Sequence, residues 1–159
     1  MRFTYCSPSR EATASFIESY AARFLADGFA PWTAVLAAER RVVGWGGLNR
    51  DPKAPNFGVE VAYFIDPSCW GRGLATELVQ ASVEHAFRDL GLSRVGAFVR
   101  PGNHASVRVL AKAGFARVSA PGGTSRGLRL TSDIAHAVPG GVGPPRTVHD
   151  RHAVPRDTV

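Results

Sequence analysis

The chain contains little cysteine and no long apolar run. Its 159 residues include only two cysteines, Cys6 and Cys69, which are too few for a disulfide framework. Neither cysteine has a histidine or a second cysteine at metal-ligand spacing, so we expect no metal site. No apolar stretch approaches the length of a membrane-spanning helix, and the N-terminal residues lack the apolar segment of a secretory signal. These absences favour a cytoplasmic protein with reduced thiols and no membrane partner.

Lysine is also scarce, because Lys53 and Lys112 are its only examples and arginine supplies nearly all of the positive charge. The formal net charge is +6 at pH 7, and the pI is about 10.1. Such a balance suits an anionic ligand, a nucleic acid or a solvated surface biased towards arginine. No stripe of adjacent basic residues is present, so we favour the solvated surface and disfavour a nucleic-acid partner.

Hydrophobic residues make up 45% of the chain, which is enough to bury a core, and the length fits one domain. The composition changes near residue 132, since proline and glycine cluster from Ile134 onwards and the apolar periodicity ends. A segment of that composition buries too little surface to offset its chain entropy. We therefore predict a folded domain over residues 1–132 and a flexible tail over residues 133–159.

The folded part alternates between helical and strand periodicity. Ser9 and Asn103 are expected to cap helices, and glycines are expected to end them. This mixed order predicts an α/β sheet with helices on its faces. The predicted elements in chain order are a helix over 9–26, strands over 33–38, 41–48 and 58–65, a helix over 73–90, a strand over 94–100, a helix over 103–113, and strands over 115–118 and 127–131.

The turn that joins the third strand to the long helix is the most informative segment. Its sequence over 70–75 is WGRGLA, with Gly71 and Gly73 at the bend. Glycine lets a ligand approach the backbone closely, and the first turn of a helix offers unpaired N–H groups and the positive end of the helix dipole. Arg72 adds a cation. The segment suits a phosphate or pyrophosphate ligand, but glycines before a helix are common, and by themselves they favour a purely structural turn.

Two better-known phosphate motifs do not fit this turn. A P-loop is excluded, because no Gly-Lys-Ser/Thr follows at the required spacing. A dinucleotide fingerprint is poor, because Thr76 stands where its third glycine belongs.

The turn and a second motif together resemble the GCN5-related N-acetyltransferase (GNAT) superfamily. The acyl-CoA motif of that family, Gln/Arg-x-x-Gly-x-Gly/Ala, begins the long helix after a central strand. The segment 70–75 departs from it at the first position, but it has the Trp-Gly-x-Gly form of the branch that acetylates the N-termini of ribosomal proteins. The family's second motif, Asn-x-x-Ser-x-x-x-Leu-x-Lys-x-Gly-Phe, is similar to Asn103, Ser106, Leu110, Lys112, Gly114 and Phe115.

The resemblance implies a GNAT fold, in which a mixed central sheet with two splayed parallel strands is flanked by helices. Residues 59–65 and 95–99 would be the splayed pair, and no segment matches the usual first strand of the family. The implied cofactor is acetyl-CoA. Its pantetheine arm would bond to the main chain near Phe64 and Ile65 and touch Asn103. Its pyrophosphate would lie on the turn formed by Trp70, Gly71, Arg72, Gly73, Leu74 and Ala75.

The resemblance also implies two catalytic residues. Glu60 matches the acid on the corresponding strand of the family and would remove a proton from the amine; the alternative is a carboxylate that faces solvent or pairs with an arginine. Many relatives protonate the thiolate with a tyrosine, but Leu110 stands at that position. Ser106 is the replacement candidate, unless its hydroxyl only bonds within the helix turn. Tyr63 is interpreted as a packing residue.

The expected function is the transfer of acetyl from acetyl-CoA to a primary amine, on a protein N-terminus or a small molecule, by direct attack in a ternary complex. Two alternatives stay open. One is a non-catalytic acyl-CoA sensor, favoured by Leu110 and by the unmatched first strand. The other is an acetyltransferase for an RNA-linked amine, favoured only by the high pI. A homodimer through exposed late strands is also consistent with the sequence.

Overall fold

The computed structural model describes residues 7–51, 57–118 and 128–133 of the chain. Except for Asp133, the predicted tail lies outside these residues, and so do residues 1–6. The elements are α1 (Arg10–Asp27), β1 (Trp32–Leu36), β2 (Arg41–Arg50), β3 (Val59–Ile65), a 3-10 turn (Pro67–Cys69), α2 (Leu74–Glu84), β4 (Arg94–Val99), α3 (His104–Lys112), β5 (Ala116–Arg117) and β6 (Leu128–Asp133).

The strands of the described residues form one six-stranded mixed sheet in the order β1-β2-β3-β4-β6-β5. Neighbouring strands are antiparallel, except for β3 and β4, which are parallel. All seven residues of β3 pair with β2. By contrast, β4 meets β3 at one register pair, Glu60 with Gly96. The two parallel strands separate beyond Glu60, which confirms the predicted mixed sheet with a splayed pair.

One face of the sheet carries the main core. Side chains alternate between the two faces of a strand, and Val59, Val61 and Tyr63 of β3 pack with Val79 and Val83 of α2 in a single apolar cluster. Leu110 of α3 is 1% exposed in the same cluster. Burial of these apolar side chains holds α2 and α3 against the splayed strands.

The opposite face of the sheet is covered by α1. The rings of Phe16 and Tyr20 contact the indole of Trp45, with ring centroids 5.8 and 6.1 Å apart. Trp45 is the register partner of Phe64, so Phe64 and Glu60 share this face. The helix packs loosely, since none of its residues is fully buried.

The predicted helix caps are confirmed, and the long helix ends at Leu90 as predicted, but its last turn is not α-helical. The Ser9 side chain accepts a hydrogen bond from the amide of Ala12 at 3.1 Å, and Gly28 ends α1 in the left-handed conformation. The helix predicted over 73–90 is α-helical only to Glu84, because His85–Asp89 form a π-helical turn. In that turn the Leu90 amide reaches back to the His85 carbonyl at 3.1 Å, which widens the last turn.

Candidate active site

A cleft of about 700 Å³ opens between the end of β3, the turn over residues 70–75 (the glycine turn) and α3. It brings together the two sequence motifs, which are about 30 residues apart in the chain. The cleft is lined by Tyr63, Phe64 and Ile65, by Trp70, Gly71 and Gly73 to Thr76, and by Gly102 to Ser106, Arg108, Val109 and Lys112.

The glycine turn presents unpaired backbone donors to this cleft. Gly71 and Gly73 have φ angles of 76° and 82°, which L-residues with a side chain rarely adopt, and open space lies where a Cβ would stand. The amides of Thr76 and Glu77 both donate to the Gly73 carbonyl, at 2.9 and 3.0 Å. The amides over 71–75 have no acceptor among the described residues. Free donors at the N-terminus of an 11-residue helix are suited to an anion.

Trp70 fastens the turn to the strand before it. Its indole Nε1 donates to the carbonyl of Ile65 at 2.7 Å, while 61% of the residue stays exposed. That bond occupies the Ile65 carbonyl and fixes the glycine turn beside the end of β3. Arg72 is exposed on the same turn and does not line the cleft.

The main-chain N–H and C=O groups of successive residues in β3 point alternately towards β2 and towards β4. The amide of Asp66 donates to the Val43 carbonyl of β2 at 2.7 Å. Because main-chain groups alternate along an antiparallel strand, those of Phe64 face β2, while those of Tyr63 and Ile65 face the side of the splay. The main-chain groups of Tyr63 and the amide of Ile65 therefore face the cleft, the Ile65 carbonyl being bonded to Trp70, whereas Phe64 contributes to the cleft wall.

Glu60 lies at the point where the splay begins, on the face covered by α1. Asn49 Nδ2 donates to Glu60 Oε1 at 3.1 Å, and Arg23 Nη1 donates to Asn49 Oδ1 at 2.9 Å. Burial raises the pKa of Glu60, the Asn49 hydrogen bond lowers it in part, and the nearby charge of Asp51 raises it again. Glu60 is half-buried, and Asn49 lies between it and Arg23. Its carboxylate therefore neither faces open solvent nor pairs directly with that arginine.

Ser106 lies at the N-terminus of α3, where its amide donates to the Asn103 side chain at 3.1 Å. Its hydroxyl does not bond within the helix turn, because Ser106 Oγ lies 2.7 Å from Tyr63 Oη. Burial raises the pKa of the Tyr63 phenol, and the bond to Ser106 offsets part of that rise. Leu110 is absent from the cleft wall and packs in the core instead.

Sequence reasoning missed three contributors to the site. Tyr63 was expected only to pack, but its hydroxyl reaches α3 across the cleft. Asn49 and Arg108 carried no signal, because neither belongs to a motif, yet Asn49 contacts Glu60 and Arg108 lines the cleft beside Lys112. The register of the two predicted strands could have indicated Asn49. It pairs with Glu60, and residues paired across two antiparallel strands share a face.

Other kinds of site are not evident in the described part of the chain. Over 7–51, 57–118 and 128–133, no cluster of three metal-ligating side chains occurs. None of the helices in these ranges is both long and apolar enough to cross a bilayer. Cys69 is a free, buried cysteine, and Cys6 lies outside the described residues.

The fold and cleft define a class of protein that solved structures share. An acetyltransferase from Agrobacterium tumefaciens str. C58 superimposes with a TM-score of 0.67 at 23% identity, covering 77% of this chain and 71% of that one. Mycobacterium smegmatis RimJ in complex with CoA-disulfide has a TM-score of 0.64 at 23% identity, covering 79% of this chain and 62% of that one. The chain has the GNAT fold.

Sequence similarity then assigns the family. The Acetyltransferase (GNAT) domain family matches residues 1–116, so the chain belongs to the GNAT acetyltransferase family. The uncharacterized N-acetyltransferase YoaA of Bacillus subtilis (strain 168) is 37% identical over 94 residues, which cover 52% of this chain and 53% of that protein. The chain spans about half the length of the curated relatives it matches.

Proposed function

We propose that the chain moves acetyl from acetyl-CoA to a primary amine, on a protein N-terminus or a small molecule, by direct attack in a ternary complex. One observation carries the proposal: the splay between β3 and β4 begins at Glu60, and the cleft beside it joins the glycine turn to the hydroxyls of Tyr63 and Ser106. A base, an anion site and a hydroxyl pair thus lie around one strand.

The residues present fit coenzyme A. A Cβ at Gly71 or Gly73 would occupy the open space beside the free amides over 71–75, which suits a pyrophosphate on that turn. Arg108 and Lys112 line the same cleft, and Arg72 belongs to the glycine turn beside it, so these cations would be available to a bound pyrophosphate. The RimJ structure, by its name, contains a coenzyme A derivative.

The strand end fits the pantetheine arm. The main-chain groups of Tyr63 and the amide of Ile65 can bond an extended amide chain in the way that an added strand would. Asn103 lines the cleft opposite them and caps α3. Bound acetyl-CoA would supply an activated thioester carbonyl, and an N–H of the splay is a donor suited to the negative charge that develops on that oxygen.

Glu60 is the proposed base. A protonated amine has no lone pair, so one proton has to leave before the nitrogen can attack. Burial raises the pKa of Glu60, which makes its carboxylate a stronger base than an exposed glutamate. Because Glu60 faces α1 while Tyr63 faces α2, we place the amine on the α1 side of the sheet.

The test is thiol release from acetyl-CoA across a panel of peptide N-termini, polyamines and aminoglycosides, with coenzyme A binding measured separately by calorimetry. We expect binding, and turnover with at least one amine class. Binding without turnover on any amine would replace the proposal with the acyl-CoA sensor. The absence of binding to any coenzyme A thioester would overturn both interpretations.

A further inference from the structure

The hydroxyl of Ser106 has a different kind of partner from three other helical hydroxyls of the described chain. Those of Thr13, Ser19 and Ser82 donate to carbonyls three or four residues earlier, at 3.0, 2.7 and 2.7 Å. Such local bonds are the usual outcome for serine and threonine in helices. Ser106 Oγ instead lies 2.7 Å from the phenol of Tyr63, 43 residues away on β3.

Packing holds the Tyr63 phenol in place. Gly46 lies opposite Tyr63 on β2, where an added Cβ would stand only 2.5 Å from Tyr63 Cβ, so the two strands approach closely there. The ring then crosses to α3, where the Tyr63 hydroxyl can also donate to the Ser106 carbonyl, but at 3.4 Å that contact is longer than a normal O–H···O bond. Because burial raises its pKa, the phenol keeps its proton at neutral pH.

The phenol hydrogen is shared most closely with Ser106 Oγ, at 2.7 Å against 3.4 Å for the Ser106 carbonyl, and in that arrangement the pair leaves one hydrogen for another acceptor. When Tyr63 donates to Ser106 Oγ, the Ser106 hydrogen is released from the pair and can point into the cleft, which both residues line. Donors in a connected pair also polarise one another, so the outer hydroxyl becomes a stronger donor.

We propose that Tyr63 is a positioning residue that holds the Ser106 hydroxyl as a hydrogen-bond donor to the sulfur of coenzyme A as it leaves. This inference rests on the proposed acetyl transfer. As the carbon–sulfur bond breaks, its electron pair stays on sulfur, and the Ser106 hydrogen bond stabilises that charge. No proton leaves either hydroxyl, and the thiolate takes its proton from water.

The first test needs no acceptor amine. Calorimetry would compare coenzyme A with S-methyl-coenzyme A, which has no ionisable thiol, at pH values below and above the ionisation of the thiol. For the wild-type chain, the affinity ratio of coenzyme A to its S-methyl analogue should rise about tenfold with pH, as expected for one hydrogen bond to a charged acceptor. Tyr63→Phe and Ser106→Ala should lose that rise, while S-methyl-coenzyme A binds all variants alike.

Ser82→Ala is the matched control, because it removes a helical hydroxyl that bonds within its own helix, and it should keep the rise. A wild-type ratio that does not change with pH, or a rise that survives in Tyr63→Phe, would overturn the inference. Failure of S-methyl-coenzyme A to bind the wild type would instead overturn the proposed function, and the inference with it.

A second readout separates positioning from packing. Tyr63→Phe keeps the ring and should lower kcat about tenfold with little change in KM for acetyl-CoA. The double variant with Ser106→Ala should be no slower than Ser106→Ala alone, because the two hydroxyls act as one unit. The inference would be contradicted if the fold losses in kcat of the two single variants multiplied in the double variant. A Tyr63→Phe variant that changed only KM would contradict it as well.

Discussion

Asn49 Nδ2 donates a hydrogen bond to Glu60 Oε1 at 3.1 Å, and so an amide separates the carboxylate from the guanidinium of Arg23. A direct ion pair with arginine would hold the pKa of a carboxyl well below its usual value. The amide lowers the pKa of Glu60 only in part, and burial keeps it raised overall. The Asn49 hydrogen bond thus orients the Glu60 carboxylate, and the carboxylate keeps a raised pKa.

Replacement of Glu60 by glutamine should lower kcat/KM for the amine by about two to four orders of magnitude, the usual contribution of a general base. The residual activity should depend more steeply on pH, because only amine that is already neutral could react. Rates on the best amine of the panel would be measured from pH 6 to 10 by thiol release. Glu18→Gln, an exposed change on α1, is the control, and equal profiles for both variants would remove Glu60 from the mechanism.

Removal of the Asn49 side chain should move the acid limb of the rate profile to higher pH. The Asn49 hydrogen bond lowers the pKa of Glu60, so Asn49→Ala leaves burial and the charge of Asp51 to raise it further. The pH dependence of kcat/KM reports the pKa of the free enzyme's base. A limb that stays in place, or moves to lower pH, would show that this contact does not set the basicity of Glu60.

Glu60→Gln should also stabilise the fold near pH 7. The pKa of Glu60 is raised on folding, so the stability linked to this group is fully present below its unfolded pKa and is lost as the pH rises through its folded pKa. Glutamine cannot ionise and avoids that loss. Thermal melts should show a Tm a few degrees above wild type at pH 7. The gain should vanish near pH 4, and a constant difference at both pH values would contradict the linkage.

Gly73→Ala should weaken coenzyme A binding beyond its effect on stability. Gly28 and Gly73 have φ angles of 78° and 82° with open space at the Cβ position, so alanine at either should cost about 1–2 kcal/mol of folding free energy through backbone strain. Only Gly73 lines the cleft, where the added methyl would occupy space beside the free amides. Chemical denaturation and calorimetry would compare the two variants, and equal coenzyme A affinities would contradict a pyrophosphate site on this turn.

Local patterns explain why much of the fold was predictable. Helix periodicity, the caps at Ser9 and Asn103, and the left-handed glycines depend on residues within about four positions of one another. The sequence did not predict the π-helical geometry that follows α2, because the turn over His85–Asp89 has no local signal of that kind. There, His85 contacts Asp89 at 2.7 Å and the ring of Trp32, which belongs to another element.

The sequence by itself determined the order of helices and strands, the left-handed glycine turn and the two motifs that indicate the family, because each depends on neighbours along the chain. Only the tertiary structure decided that Asn49 is the partner of Glu60 and that Tyr63 meets Ser106. Those contacts depend on strand register and on where α3 packs against the sheet. Many side chains could meet such requirements equally well, so no local pattern records which of them do.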